Sequence, residues 1–437
     1  MAVTTRWSPN QSAIAQVRTY TFTVPNGVGN HYKATINGKT LTYASVSGDT
    51  AATVASAMLA ALQASTISEL SEITFANPSS AVMTATAREP GTPFANVPGT
   101  SDGLVMSTGN GLANGITTAD TQANQSPSDV NDAQNWLRVN MSTTPPSGTR
   151  AIPQNGDDVI VGKSAVPMLW NLDQLAAVQF NTYQRWQSMS GNIGLPRNNP
   201  NGYIEWRAQY FKFVGPQGSA PAGGLSLLCG YDDGGRGPRL ERYDVGSQKT
   251  TLTALAGSQI DFLGQHTDNT FTLLGGMTLN IATEPGEAAR LTSSTVNGDS
   301  TVNMGSGVTW TAASTLTLLG GSAELNSAPA TITMSNGSQL TVATDALTWT
   351  TITAQGSCGI NFMAGGTITA LTMTQGCILD KSGDARALTI TNHTIDGDTC
   401  QIIDPLNAIT FTNAGTVKQQ VTQGPYQFTG SRTVKVT

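Results

Sequence analysis

Residues 316–362 read LTLLGGSAELNSAPATITMSNGSQLTVATDALTWTTITAQGSCGINF, and this segment is the strongest indication of the fold class. Short runs in it alternate apolar residues with threonine, as a strand with one buried face does. Glycine or Asn-Gly follows the runs, and these residues favour the positive φ angles of tight turns. The starts of such runs, an apolar residue followed by threonine, lie at Leu316, Ile332, Ile352, Leu371, Ile390 and Ile409, so the steps are 16, 20, 19, 19 and 19 residues.

The length of this repeat indicates the architecture. A unit of roughly 20 residues with short strands has the size of one coil of a β-solenoid. One coil cannot bury its apolar face alone, so successive coils must stack. The high threonine and glycine content excludes helical repeats, and the asparagine ladder of leucine-rich repeats is missing. We therefore predict a mainly β chain, in which a small N-terminal α+β module precedes a β-solenoid, a right-handed parallel β-helix with terminal caps.

Three cysteines support the register of the repeat. Cys358 lies six residues after Ile352, and Cys377 lies six after Leu371. Cys400 lies ten after Ile390, which requires a four-residue insertion in that coil. With this correction all three fall at one rung position and predict a ladder of small buried side chains. The alternative is a metal site made of three thiolates.

The N-terminal region has a different pattern. Residues 19–24 alternate like a strand, and Asn37-Gly38 between two alternating runs is a strong hairpin signal. Residues 51–64 follow a capping sequence and place apolar residues on one helical face. The expected organisation is a module over residues 1–110, a linker over 111–150, an aromatic-containing first part of the solenoid over 151–265, repeats over 266–415 and closing strands over 416–437.

Several segments resemble known proteins. ATINGKTLTY (34–43), GDTAATVASAMLAAL (48–62) and MTATAREPGTPFAN (83–96) form a pattern that resembles a small module of tailed-bacteriophage virion proteins. GDDVIV (156–161) and GLPRNNPNGYIEWRAQYFKF (194–213) resemble the β-helical domains of the same group. The resemblance covers a pattern of turns, helix and strands and contains no catalytic signature.

The resemblance implies a non-enzymatic structural protein of the virion, assembled in the host cytoplasm. The favoured role is a capsid decoration or cement protein that projects from or stabilises the head. The alternatives are a tail fibre or tailspike that binds host-surface glycan, and a β-helix enzyme that degrades polysaccharide. The expected partners are two further copies in a homotrimer and the major capsid protein or tail proteins of the particle. Attachment is assigned to Trp7, Tyr20, Phe22 and Val24.

Composition restricts the other function classes. Only 11% of the residues are charged and the net charge is -6, where an average soluble domain has about 25% charged residues. Without a Lys/Arg-rich stripe, nucleic-acid binding is not expected. No apolar run reaches the length of a membrane span, and the N-terminus lacks the pattern of a signal peptide. No cofactor and no metal are expected.

Two features of the sequence allow more than one interpretation. The aromatic residues between 170 and 213 predict either a sugar-stacking platform or a plug at the end of the solenoid, and the plug is favoured because a solenoid end must be covered. A charged island could form a catalytic site for polysaccharide, but a subunit contact or an exposed loop is preferred. Its members are Asp232, Asp233, Arg236, Arg239, Glu241 and Arg242.

Overall fold

The computed structural model describes residues 3–23, 29, 31–95, 103–109, 115–140, 147–213, 224–233, 235, 237, 239–247, 249–255, 259–396, 399–413 and 415–418. The chain is mainly β, with 50% strand and 6% helix, and a parallel β-solenoid of about 11 turns spans residues 158–411. A small α+β module precedes it. The predicted fold class is therefore confirmed. The solenoid is called the rod below.

The strands before the rod are β1 (Thr4–Trp7), β2 (Val17–Phe22), β3 (His31–Ile36), β4 (Lys39–Ala44), β5 (Ile73–Ser79), β6 (Val82–Ala87), β7 (Val105–Thr108), β8 (Ile116–Gln122), β9 (Trp136–Asn140) and β10 (Ser147–Arg150). One α-helix, α1, spans Ala51–Gln63, and 3-10 helices span Ser68–Glu72 and Ala133–Asn135.

The strands of the rod are β11 (Asp158–Val161), β12 (Thr182–Trp186), β13 (Phe211–Lys212), β14 (Leu225–Tyr231), β15 (Glu241–Asp244), β16 (Thr250–Ala254), β17 (Gln259–Leu263), β18 (Thr270–Leu273), β19 (Thr278–Ile281), β20 (Ala289–Asn297), β21 (Thr301–Met304), β22 (Val308–Leu319), β23 (Ser322–Leu325), β24 (Thr331–Ser335), β25 (Gln339–Val342), β26 (Leu347–Gln355), β27 (Gly359–Phe362), β28 (Gly366–Thr374), β29 (Ile378–Asp380), β30 (Leu388–Asp396), β31 (Gln401–Ile403), β32 (Ile409–Phe411) and β33 (Thr416–Lys418).

Each coil of the rod adds one strand to each of two parallel sheets. The first sheet runs β11-β12-β14-β16-β18-β20-β22-β24-β26-β28-β30-β32, and the second runs from β13 through the odd-numbered strands to β31. Pairing between the long strands β26 and β28 is interrupted after Trp349 and Ile368 and resumes at Thr351 and Ala370. This interruption marks a corner, and the parts of both strands before it form a third face. β1, β9 and β10 extend the first sheet beyond β11 and form the cap at its start.

The core of the rod consists of columns of side chains from successive coils. Strand residues alternate between the two faces of a sheet, so each strand sends every second side chain inward. One inner column of the first sheet contains buried residues from eight coils, which are Leu252, Phe271, Ser294, Leu316, Ile332, Ile352, Leu371 and His393. Burying one leucine or isoleucine contributes roughly 1.5–3 kcal/mol, so stacking is the main source of stability.

The register of the last coils differs from the prediction. Ile390 pairs with Ile368 and Leu388 pairs with Ile409, so both expected starts lie on the third face. The residue aligned with Leu371 is His393, which is polar and therefore does not match the pattern of apolar starts. Its ring packs against Phe411 with the centroids 4.4 Å apart. The four extra residues are consequently divided between the loop before β30 and the turn before Cys400.

The module is built around a separate core. β5-β6-β2-β8 and β4-β3-β7 form two antiparallel sheets, and α1 packs on them. Thr50 caps α1 in a reciprocal capping box with Thr53. The expected boundaries need correction at both ends. β1 lies in the rod sheet rather than in the module, and β8, from the expected linker, pairs with β2 of the module.

Candidate functional site

The residues assigned to attachment are core residues. Tyr20 and Phe22 lie inside the module and are 0% and 2% exposed. Trp7 lies in the cap of the rod, where it packs edge-on against Trp136 with ring centroids 5.0 Å apart. Val24 lies outside the described residues. The assignment of direct contacts to Trp7, Tyr20 and Phe22 is therefore wrong, because alternation in β1 and β2 turns these side chains inward.

A loop of the rod connects the two cores. Between β12 and β13 the chain leaves the rod and inserts Tyr203 and Trp206 into the core of the module. Both side chains are buried, at 6% and 9% exposed. The module is therefore held to the first coils by packed apolar surface as well as by the chain itself.

Arg207 also links the module to the rod, through charged hydrogen bonds. Its Nη2 donates to Glu72 of the module, its Nη1 donates to Glu205 Oε1 at 2.9 Å, and its Nε donates to the carbonyl of Pro93 at 2.9 Å. Burial alone would lower the pKa of Arg207, but the two carboxylates outweigh burial and raise it. The guanidinium also lies 4.3 Å from the ring centroid of Trp206. The junction thus contains a buried, hydrogen-bonded cation.

The charged island does not form one site. Asp232 and Arg239 are exposed, whereas Asp233 accepts a hydrogen bond from the backbone N–H of Ser188 at 2.7 Å. Arg236 lies outside the described residues. The surface-loop interpretation is wrong for Glu241 and Arg242, which are 0% and 5% exposed. They are adjacent on β15 and consequently point to opposite faces.

Glu241 points into the rod. It accepts from Arg185 Nη2 of the facing sheet at 2.5 Å and from the hydroxyl of Tyr243 at 2.7 Å, and both charged side chains are fully buried. Tyr183 lies 3.0 Å from Tyr243, oxygen to oxygen. Burial, followed by the charge of Glu241, raises the pKa of Tyr243 well above its ordinary value. The network is buried inside the first coils, where loss of either charge would leave the other uncompensated.

Arg242 points outward and begins a polar column on the second sheet. Its Nε donates to Asp261 Oδ2 at 2.8 Å, and Asn280 donates to the other carboxylate oxygen of Asp261 at 2.8 Å. Asn303 then donates to Asn280 at 2.8 Å. The column continues at Glu324, which is exposed. From Arg242 to Asn303, each side chain is hydrogen-bonded to its neighbour one coil away.

The cysteine ladder is confirmed. Cys358, Cys377 and Cys400 directly precede Gly359, Ile378 and Gln401, and these three residues pair in register. The thiols of Cys358 and Cys377 donate to the carbonyls three residues earlier, at 3.1 and 3.0 Å. Burial raises the pKa of Cys377 to about 11. Ser338 occupies the same column one coil earlier and makes the same bond to Ser335.

The aromatic cluster plugs the start of the rod. Phe180, Phe211 and Phe213 are fully buried, and Phe213 stacks on Phe180 and Tyr183 at centroid distances of 4.8 and 5.3 Å. With Tyr203 and Trp206 in the junction, these rings have no exposed face for a sugar. This arrangement agrees with the plug and contradicts a stacking platform made of these rings.

Sequence reasoning missed the outer surface of the first sheet. Two adjacent columns on it are made almost entirely of threonine, and they are called the threonine face below. The first column is Thr251, Thr270, Ser293, Thr315, Thr331, Thr351, Ala370 and Asn392, and the second is Thr253, Thr272, Thr295, Thr317, Thr333, Thr353, Thr372 and Thr394. The signal was Thr-x-Thr in successive repeats.

Within the described parts of the chain, no group of three or more His, Cys, Asp or Glu side chains is arranged to hold a metal ion. The same residues include no helix that has the length and apolar character needed to cross a bilayer. No protein-family model matches the sequence, and no curated protein is significantly similar to it.

Proposed function

We propose that this chain is a non-enzymatic structural protein of a tailed-phage particle, where it acts as a decoration or cement protein of the capsid. The module attaches to the major capsid protein, and the rod projects from the head or reinforces it. The chain acts as a homotrimer. The resemblance of the module and of the first coils to virion proteins supports the phage assignment.

One structural observation supports the mechanical role. Arg207 and the inserted aromatic residues Tyr203 and Trp206 join module and rod through buried contacts. A projection needs such a joint, because a flexible linker would let the rod swing relative to its anchor. The large buried charges, Glu241 and Arg185, are paired with each other inside the rod, and this enclosed pairing fits a supporting role better than acid–base chemistry.

Immunogold electron microscopy on intact particles tests the proposal, with antibodies raised against the full chain. Label distributed over the head is the expected result. Label confined to the tail would overturn the capsid assignment in favour of a tail fibre or tailspike. Particles without label would overturn the virion assignment altogether. Preimmune serum and particles that lack the gene are the controls.

A further inference from the structure

The threonine face is uniform over eight coils. None of its sixteen positions carries a charge, and the residues are half-buried or exposed. Thr270 donates from its hydroxyl to that of Thr251 in the preceding coil at 3.3 Å. In the second sheet, the outer column of the same coils contains Asp261, Glu324 and Asp380. The fold therefore tolerates charge on an outer face, and the threonine face lacks it for another reason.

The spacing of the face restricts what can cover it. Neighbouring strands lie about 4.8 Å apart, and alternate residues of one strand lie about 6.7 Å apart. A partner that contacts every coil must repeat at the same interval. A second copy of this rod, lying parallel to the first, has this interval along its whole length.

Leucines border the first coils of the face. Leu255 and Leu274 follow the ends of β16 and β18, and they are 36% and 45% exposed. Leu319 occupies the same column two coils later and is half-buried, with Asn297 between them, and the column is polar in the coils after Leu319. At this end of the face the leucines add apolar area to the threonine columns.

The area of the face suits an association of copies. Eight rungs and the two threonine columns cover on the order of 500 Å² in each copy, from the spacings of strands and residues. Two such surfaces together approach the roughly 1,000 Å² expected of a specific interface. Threonine methyl groups supply apolar contact, and the hydroxyl groups supply hydrogen bonds between columns.

We propose that the threonine face is the surface through which copies of this chain associate, with their rods parallel and their modules at the same end. This inference rests on the homo-oligomeric state in the proposed function and names its contact surface. The parallel orientation follows because modules that attach to one particle surface must lie at the same end of the assembly.

The test compares two pairs of substitutions in the same two coils of the full chain. Thr333→Arg with Thr353→Arg places cations in the threonine face, and the matched control, Thr341→Arg with Asn361→Arg, places them on the second sheet. Sedimentation equilibrium measures association. We expect the first variant to associate at least about 100-fold more weakly than the wild type, because guanidinium groups would be buried without partners. The control should associate like the wild type.

Circular dichroism and thermal unfolding establish that both variants fold. A wild-type chain that is monomeric at every soluble concentration would overturn both the inference and the homotrimer, while immunogold label over the head would leave the virion and capsid assignments intact. Unchanged association of the threonine variant, or equal weakening of the control, would also overturn it. In either case the subunit contact would not be this face.

Discussion

The first coils of the rod, residues 158–263, and the later coils, residues 266–411, solve one packing problem in two ways. The first coils fill their interior with unlike partners, such as Arg185 against Glu241 and Tyr183 against Phe213. The later coils fill theirs with repeated small or aliphatic side chains, such as Ile332 and Ile352 in one column. Both regions have the same parallel pairing between coils.

Backbone pairing defines the geometry of each coil, whereas the interior side chains determine how much a single substitution destabilises it. A ladder residue packs against similar residues in the coils above and below, so these neighbours can adjust to a substitution together. A matched residue depends on specific, unlike partners across the rod, so removing its charge leaves a partner's charge uncompensated in a low-dielectric interior. Single substitutions should therefore be more costly in the first coils.

The largest effect is expected for Glu241→Gln. Loss of the carboxylate leaves the buried Arg185 cation without its counter-charge, and breaking such a pair costs about 3–5 kcal/mol. The midpoint of urea unfolding, followed by far-UV circular dichroism, measures this loss. Glu324→Gln, on an exposed strand position of a later coil, is the matched control and should change the free energy of unfolding by less than about 0.5 kcal/mol.

A double variant sharpens the result. Arg185→Met with Glu241→Leu removes both charges and leaves apolar side chains in their place. This variant should recover most of the stability that Glu241→Gln loses, because a buried pair is often replaced by apolar residues at no net cost. Equal losses in the single and double variants would show that the charge pair is not the source of the effect.

The sequence predicted the later coils better than the first coils. The later coils were recognised because a ladder repeats its residue types, so Cys358 and Cys377 appear at matching intervals. The register failed at the last two starts, Ile390 and Ile409, beginning where His393 replaces an apolar residue. The first coils have no such repeat. Charge clustering grouped Glu241 with Arg242, although alternation along a strand separates neighbours.

The junction could not be predicted from local patterns. Glu72 and Arg207 are separated by 135 residues, and no local pattern pairs them. The threonine face, by contrast, was present in the sequence as Thr-x-Thr in successive repeats. In the sequence this pattern indicates strands with one buried face, because alternation does not say what covers the outer side of a strand.

The cap of the rod provides a second, smaller effect that depends on pH. Asp129 accepts hydrogen bonds from Asn131 N at 2.8 Å and Asn171 Nδ2 at 2.6 Å, but burial raises its pKa to about 6. The folded chain therefore retains a proton that the unfolded chain releases between about pH 4 and 6. Stability should fall as pH rises through this window, by about 2–3 kcal/mol at most.

Asp129→Asn isolates this contribution. The asparagine cannot ionise, so the variant should gain stability relative to the wild type as pH rises from 4 to 6, with no further gain above pH 7. Urea unfolding of both proteins at four pH values measures the difference. A constant difference across the range would contradict a raised pKa, and a difference of opposite slope would show that the folded state stabilises the carboxylate.

The smallest effect is expected in the ladder. Cys377→Ser should cost less than about 1 kcal/mol, because Ser338 already occupies this column and its hydroxyl bonds the same type of turn carbonyl. Cys377→Leu enlarges the side chain at a fully buried position and should cost about 1–3 kcal/mol through overpacking. Urea unfolding under reducing conditions compares the two.

If Cys377→Ser destabilised the chain as much as Glu241→Gln, ladder positions would be as dependent on specific partners as the first coils, and the distinction between the two regions would fail. A small loss for serine with a larger loss for leucine would instead show that the column selects size rather than chemistry, as stacked coils of one geometry require.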